Sequence, residues 1–293
     1  MTKTAWVFPG QGSQAVGMGC DLLETAAAQQ RFTEAEVILG WSVPEICQNE
    51  DEKVSSTLYT QPCLYVVESI LADLLMVQGQ TPDFVAGHSL GEYVALYAAG
   101  VFDFEAGLTL VKRRSELMSQ ASEGMMAALM GFKRPELDDV LAATDGAVLA
   151  NDNSPGQVVI SGTPEAVQAV MDNIKAKRKV ALNVSGAFHS PLMADAASDY
   201  QPILDSVPFQ DAKVPVLSNV DPIPTKDADT LKQRLSKQIT GSVRWCEISQ
   251  TLQAQGVERV QEVGPGKVLT GLIKRTCKGL ALENISSLAA VSA

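Results

Sequence analysis

The 293-residue sequence predicts an α/β protein: helices covering a parallel sheet, with a smaller β-α-β-β-α-β unit inserted into the larger one. Three observations carry this expectation. Short apolar runs, such as Ala5 to Phe8, Phe84 to Ala86 and Val257 to Val263, alternate with stretches at helical spacing along most of the chain. From Met125 to Val184 the pattern changes to strand, helix, two strands, helix, strand, the order of a ferredoxin-like unit. Finally, Gly87-His88-Ser89-Leu90-Gly91 matches G-x-S-x-G between an apolar run and an apolar helix, the setting of a nucleophile elbow on an α/β-hydrolase-like sheet. The expected division is a catalytic domain made of residues 1–123 and 190–293, with a small domain over 124–189.

In chain order, Thr4 to Phe8 reads as the first strand, and Pro9-Gly10-Gln11-Gly12-Ser13-Gln14 as the turn that follows it. No Lys-Ser/Thr follows, so this loop is not a P-loop, and Gly10, Gly12 and Ala15 fit G-x-G-x-x-G/A only partly. Helical patterns cover Leu22 to Gly40 and, after a break at Gln61-Pro62, Cys63 to Val77. Leu90 to Ala99 is rich in helix formers and stops at Gly100, a residue suited to a left-handed helix end. Phe104 to Ser119 is the next helix.

Within the small unit the expected strands are Met125 to Phe132, Val148 to Ala150, Gln157 to Ser161 and Val180 to Val184. Its helices are Pro135 to Ala143 and Pro164 to Lys177, and Asn151 to Gly156 is read as a loop. Beyond Ser185 to Pro191 come a strand at Val214 to Asn219, helices at Thr230 to Ile239 and Ser249 to Gln255, and a strand at Val257 to Val263. After the turn Gly264-Pro265-Gly266, Lys267 to Lys278 is an amphipathic helix, and the last dozen residues are expected to be loosely ordered.

Composition narrows the function classes. A net charge of −11, from 23 basic and 34 acidic residues, lacks the basic footprint of a general nucleic-acid binder. Five scattered cysteines with no C-x-x-C pair suit reduced thiols in the cytoplasm rather than a disulfide framework or a metal site. Ala5 to Phe8 is too short for a signal peptide, and Glu68 and Asp73 interrupt the apolar stretch Leu64 to Val77, so no membrane span is expected.

G-x-S-x-G arises by chance in about one chain of this length in ten, so the pattern alone permits an ordinary glycine-rich turn. The strand before it and the helix after it favour an elbow, in which the helix N-terminus offers N–H groups to a developing oxyanion. A serine nucleophile needs a base. The chain holds two histidines, and His88, leaving the strand on the side opposite its neighbour, suits a packed support rather than a base for Ser89. That leaves His189, one hundred residues on; a polar residue at a domain junction is the competing account. Spacing selects no carboxylate as third member. Arg114 interrupts the apolar stripe of its helix. It is either a structural ion pair or snorkelling side chain, or a clamp on a carboxylate substrate.

Five stretches now stand together: Phe8-Pro9-Gly10-Gln11-Gly12-Ser13-Gln14, Gly87 to Glu92, Asn153-Ser154-Pro155-Gly156-Gln157-Val158-Val159-Ile160, Phe188-His189-Ser190-Pro191 and Glu262-Val263-Gly264-Pro265-Gly266. In this order and spacing the chain resembles, over nearly its full length, the malonyl-CoA:acyl carrier protein transacylases, the acyltransferases of fatty-acid and polyketide synthesis. The resemblance implies that Ser89 takes the malonyl group from malonyl-CoA and His189 serves as base and acid. It implies an oxyanion hole from the Gln11 and Leu90 N–H groups, Arg114 on the malonyl carboxylate, and the Gln238 main-chain carbonyl orienting His189. Asn151, Asn153, Lys177 and Arg178 would lie towards CoA or the carrier protein. A monomer is expected, with no metal and no cofactor beyond the malonyl-CoA substrate. Carrier proteins of this family are acidic, as is this chain, so a local basic patch must steer their encounter; Lys175 to Lys179 and the Lys267, Lys274, Arg275, Lys278 helix are the candidates. The rival readings are a serine thioesterase or esterase, which leaves Arg114 without a role, and a catalytically silent docking module.

Overall fold

A computed structural model describes residues 2–49, 53–121 and 123–292. The chain begins with β1 (Thr4–Phe8), α1 (Ala26–Leu39), α2 (Val43–Gln48) and α3 (Thr57–Val77), followed by β2 (Phe84–Gly87), α4 (Gly91–Ala98) and α5 (Phe104–Gln120). Next come β3 (Met125–Met130), α6 (Arg134–Ala142), β4 (Ala147–Ser154), β5 (Gln157–Gly162), α7 (Pro164–Asn173) and β6 (Arg178–Ala181). The chain continues through α8 (Ala194–Ser206), β7 (Val216–Leu217), α9 (Ala228–Ser236), α10 (Trp245–Ala254) and β8 (Arg259–Val263). It closes with α11 (Val268–Thr276), β9 (Ala281–Ile285) and α12 (Leu288–Val291).

The strands form two separate sheets. A parallel sheet has the order β7-β2-β1-β8-β9, with Phe8 opposite Gly87 and Val7 opposite Glu262 across the central strand. An antiparallel sheet has the order β4-β5-β3-β6. Because β1 is covered on both faces, four of its five residues are buried and it reads as an unbroken apolar run. Its side chains alternate between two cores. Trp6 and Phe8 pack with residues of α3, α4 and α5, and Ala5 and Val7 with Trp245, Ile248, Leu269 and Leu272 of α10 and α11.

Helix ends follow local chemistry. Thr25, Asp103, Thr163 and Asp227 cap α1, α5, α7 and α9 by accepting an N–H from the first turn. At the end of α4, Gly100 has φ +75°, and the Gly100 and Val101 N–H groups bond the carbonyls of Tyr97 and Leu96, which stops the helix as expected.

Several expected boundaries are corrected. Pro62 does not start a new helix: α3 begins five residues earlier and runs through it, losing only the N–H that proline lacks. By length and composition α3 could cross a membrane, but 78% of its apolar window is buried, as in a core helix. Asn151 to Ser154 is not a loop but the second half of β4, accommodated by register shifts after Leu149 and Asp152. Its Asp152 N–H also bonds the Val243 carbonyl, and the Val243 N–H that of Ala150, which ties the antiparallel sheet to the larger unit. α7 ends at Asn173, and β6 runs over Arg178–Ala181 rather than residues 180–184. The parallel strand expected at 214–219 is two residues long. Up to residue 292, the C-terminal segment expected to be loose is ordered, while residue 293 lies outside the described residues. β9 pairs along β8 from Arg259 to Val263, the Leu288 N–H bonds Asp21, and Val291 is buried.

Candidate active site

The carboxyl ends of β1 and β2, adjacent at the centre of the parallel sheet, are where an open α/β sheet leaves a crevice for ligands. β2 passes into α4 through His88, Ser89 and Leu90. Ser89 has φ +52° and His189 φ +58°; among the described residues they are the only non-glycines in the left-handed region. Each such residue costs about 1–3 kcal/mol and persists where its surroundings over-determine it. The flanking glycines are required by close approach. A Cβ on Gly87 would lie 1.9 Å from the Gly91 carbonyl carbon, and one on Gly91 2.0 Å from the Phe8 carbonyl oxygen.

Ser89 Oγ lies 2.8 Å from His189 Nε2. On the other side of the ring, Nδ1 is 2.9 Å from the Gln238 carbonyl and 3.1 Å from that of Gly241. Carbonyls only accept, so Nδ1 carries the proton and Nε2 presents its lone pair to the serine hydroxyl. Among the described residues, no carboxylate hydrogen-bonds the imidazole. Burial, and after it the positive charge of Arg114, push the His189 pKa down to about 3, so the ring is neutral near pH 7.

Arg114 is buried, with 1% of its surface exposed, which removes the snorkelling account. Its Nη1 donates to Gln61 Oε1 at 2.6 Å, and its Nη2 to Ser89 Oγ at 2.9 Å and Gln238 Oε1 at 3.1 Å. Those acceptors are neutral, and Nε has no hydrogen-bond partner among the described residues. The Tyr93 ring, 5.4 Å away, adds a cation–π contact. Among the described residues this desolvated guanidinium has no ion-pair partner, and beside a serine hydroxyl it could take an anionic ligand.

Gln11, Ser89, Leu90, Arg114, Phe188 and His189 line one cavity of about 100 Å³. Asn151 lines both this cavity and a neighbouring groove of about 430 Å³ that also takes in Asn153. Leu90, as N-cap of α4, has no intrahelical acceptor for its N–H, whereas the Ser89 N–H is taken by Asn219 Oδ1 at 2.7 Å. His88 Nε2 pairs with Asn153 Oδ1 at 2.8 Å, its ring lies 5.6 Å from that of Trp245, and burial lowers its pKa, all consistent with a packed support. Lys177 and Arg178 are exposed at the start of β6 and line neither the cavity nor the groove.

A family profile described as acyl transferase domain matches residues 5–292. The chain belongs to the acyl transferase domain family. Among the relatives of this acyl transferase, the malonyl CoA-acyl carrier protein transacylase of Synechocystis sp. is 60% identical over 98% of both chains. That of Bacillus subtilis is 42% identical over 98% of this chain and 94% of the relative. The crystal structure of the Synechocystis protein superposes with a TM-score of 0.97, covering 99% of each chain. A complex of a type II polyketide acyl carrier protein with its malonyl-transacylase contains a chain 35% identical to this one, with a TM-score of 0.94 and coverage of 99% and 98%.

Reading the sequence missed four members of the acyl transferase site. Gln61, taken there as part of a helix break, holds the Arg114 guanidinium. Gly241 supplies the second carbonyl to His189, and a main-chain acceptor leaves no mark in a sequence. Asn219 accepts the Ser89 N–H from 130 residues away, and its own N–H donates to Glu92, links between distant segments that no local pattern foretells.

Proposed function

We propose that this acyl transferase carries a malonyl group from malonyl-CoA to the phosphopantetheine thiol of acyl carrier protein, supplying extender units for fatty-acid synthesis. The single observation behind this reading is Ser89 Oγ held between a neutral imidazole and a buried guanidinium with no ion pair. Ser89 attacks the thioester carbonyl as its proton moves to His189 Nε2. The oxyanion meets the N–H groups of Gln11 and Leu90. His189 returns the proton to the departing CoA sulfur, leaving malonyl-Ser89. The carrier thiol then repeats the sequence in reverse, giving its proton to His189 and taking the acyl group. Gln238, with Gly241 beside it, orients the imidazole through main-chain carbonyls.

Arg114 pairs with the malonyl carboxylate; burial is the main depressor of the His189 pKa, but that carboxylate offsets the second, the Arg114 charge, so the imidazolium becomes easier to form once substrate is bound. Acetyl-CoA would bring no anion to the guanidinium, which selects against it. Asn151 and Asn153 line the groove and are assigned to the CoA or carrier arm, and Lys177 and Arg178 to the rim met by the carrier protein. The architecture behind this chemistry is taken as an α/β-hydrolase-like catalytic domain, residues 1–123 and 190–293, carrying a ferredoxin-like domain over 124–189. The β6-β3-β5-β4 sheet order supports the second part. We assign the protein to the cytoplasm as a monomer, acting without metal or cofactor.

Intact mass after mixing with malonyl-CoA tests the reading. One malonyl group should appear, vanish in Ser89→Ala, and pass to holo acyl carrier protein on its addition. Release of CoA and malonate with no adduct and no transfer would point to a hydrolase instead.

A further inference from the structure

The main chain around Ser89 is gripped by side chains from remote parts of the sequence. Asn219, just after β7, accepts the Ser89 N–H on Oδ1 at 2.7 Å and donates from Nδ2 to the Gly87 carbonyl at 2.6 Å. Gln238 Nε2 donates to the Ser89 carbonyl at 2.8 Å. The two grips meet on one oxygen: Glu92 Oε2 accepts the Asn219 N–H at 3.2 Å and Gln238 Nε2 at 2.7 Å. Glu92, Asn219 and Gln238 are buried at 1%, 0% and 0% exposure.

We propose that Glu92, Asn219 and Gln238 form a bracket of positioning residues that holds Ser89 in the left-handed turn from which its hydroxyl attacks; the proposal rests on the acyl-transfer reading above. A serine at φ +52° stays there only if its neighbours leave no lower-energy alternative. Three peptide groups set that turn: the Gly87 carbonyl, the Ser89 N–H and the Ser89 carbonyl, and the bracket takes all three. Asparagine is suited to its place because one planar amide both accepts and donates across the turn, which aspartate cannot do. Gln238 Oε1 also accepts from Arg114 Nη2, so the amide that steadies the Ser89 carbonyl fixes where the guanidinium sits. With the Ser89 N–H occupied by Asn219, the oxyanion is left to the next N–H, that of Leu90, a residue that lines the cavity.

The test is the rate of Ser89 modification by two reagents: malonyl-CoA in single turnover, followed by mass, and phenylmethanesulfonyl fluoride, which is neutral and needs no contact with Arg114. In Asn219→Ala both rates should fall about tenfold to a hundredfold, as expected for a misplaced reacting group, while KM for malonyl-CoA stays within about twofold. Glu92→Leu should behave alike. Glu92→Gln keeps an oxygen able to accept both donors and should retain most of the rate. If Asn219→Ala does not fold, Asn219→Asp, which keeps the acceptor for the Ser89 N–H but loses the donor to Gly87, should still lower both rates several-fold below the parent. Folded variants with both rates within about twofold of the parent, and only a lowered melting temperature, would show a purely structural role and overturn the proposal. A parent protein that reacts with the sulfonyl fluoride but never with malonyl-CoA would overturn the acyl-transfer reading instead, while the sulfonyl fluoride rates still decide the bracket.

Discussion

Replacing Arg114 by alanine should separate malonyl from acetyl transfer. The guanidinium is buried and donates to Gln61, Ser89 and Gln238, with no carboxylate among those acceptors. A malonyl carboxylate in the cavity would therefore be its ionic partner, in a site with little water to screen the pair. Truncating one member of a buried, hydrogen-bonded charge pair costs about 3–5 kcal/mol. At about 1.4 kcal/mol per tenfold, kcat/KM for malonyl-CoA should fall roughly 100- to 4,000-fold. Acetyl-CoA makes no such pair, and its kcat/KM should change by less than about tenfold. Arg114→Lys keeps the charge without the planar fork and should recover only part of the malonyl rate. The assay is single-turnover acylation with each thioester, with melting temperature as the folding control. Equal losses for the two acyl groups would refute the clamp.

Because burial and the Arg114 charge hold His189 neutral down to about pH 3, the acid limb of Ser89 modification in the free enzyme should lie well below the ordinary histidine value of about 6.5. In Arg114→Ala, assayed with phenylmethanesulfonyl fluoride, that limb should move to higher pH; an unmoved limb contradicts the assigned cause. Glu68 is buried with neither carboxyl oxygen hydrogen-bonded, and burial first, then Glu262, push its pKa well up. The folded state then binds the proton more tightly than the unfolded one, and Glu68 lowers stability increasingly as pH rises above the unfolded value of about 4.3. Glu68→Gln should melt higher than the parent at pH 8, an advantage that shrinks below about pH 4. Gly91→Ala would push a methyl group against the Phe8 carbonyl, a backbone atom that cannot step aside, so thermal melting should drop and the malonyl adduct disappear.

How far the sequence could be read depended on whether a feature is local. The strand at Thr4–Phe8, the turn at Ser89 and the helix end at Gly100 each follow from a few adjacent residues, and the structure has them where those residues point. His189 was singled out by scarcity, since only two histidines were available, and the structure sets it 2.8 Å from Ser89 across a separation of one hundred residues. Long-range and main-chain features were not legible. The Gln238 carbonyl entered only through a resemblance, and Gly241, Asn219 and Gln61 not at all, because hydrogen bonds between distant segments leave no periodicity. Composition also misled at Asn151-Asp152-Asn153-Ser154, whose turn-forming residues sit in a bulged strand tied to Val243. At the C-terminus, small and polar residues masked an edge strand whose order comes from pairing with β8.

The most direct test of the central claim, that Ser89 carries the acyl group between thiols, is exchange of isotopically labelled free CoA into malonyl-CoA with no carrier protein present. A covalent malonyl-Ser89 intermediate predicts that label enters malonyl-CoA and that Ser89→Ala abolishes the exchange. Transfer to the carrier protein that proceeds without any such exchange would contradict it.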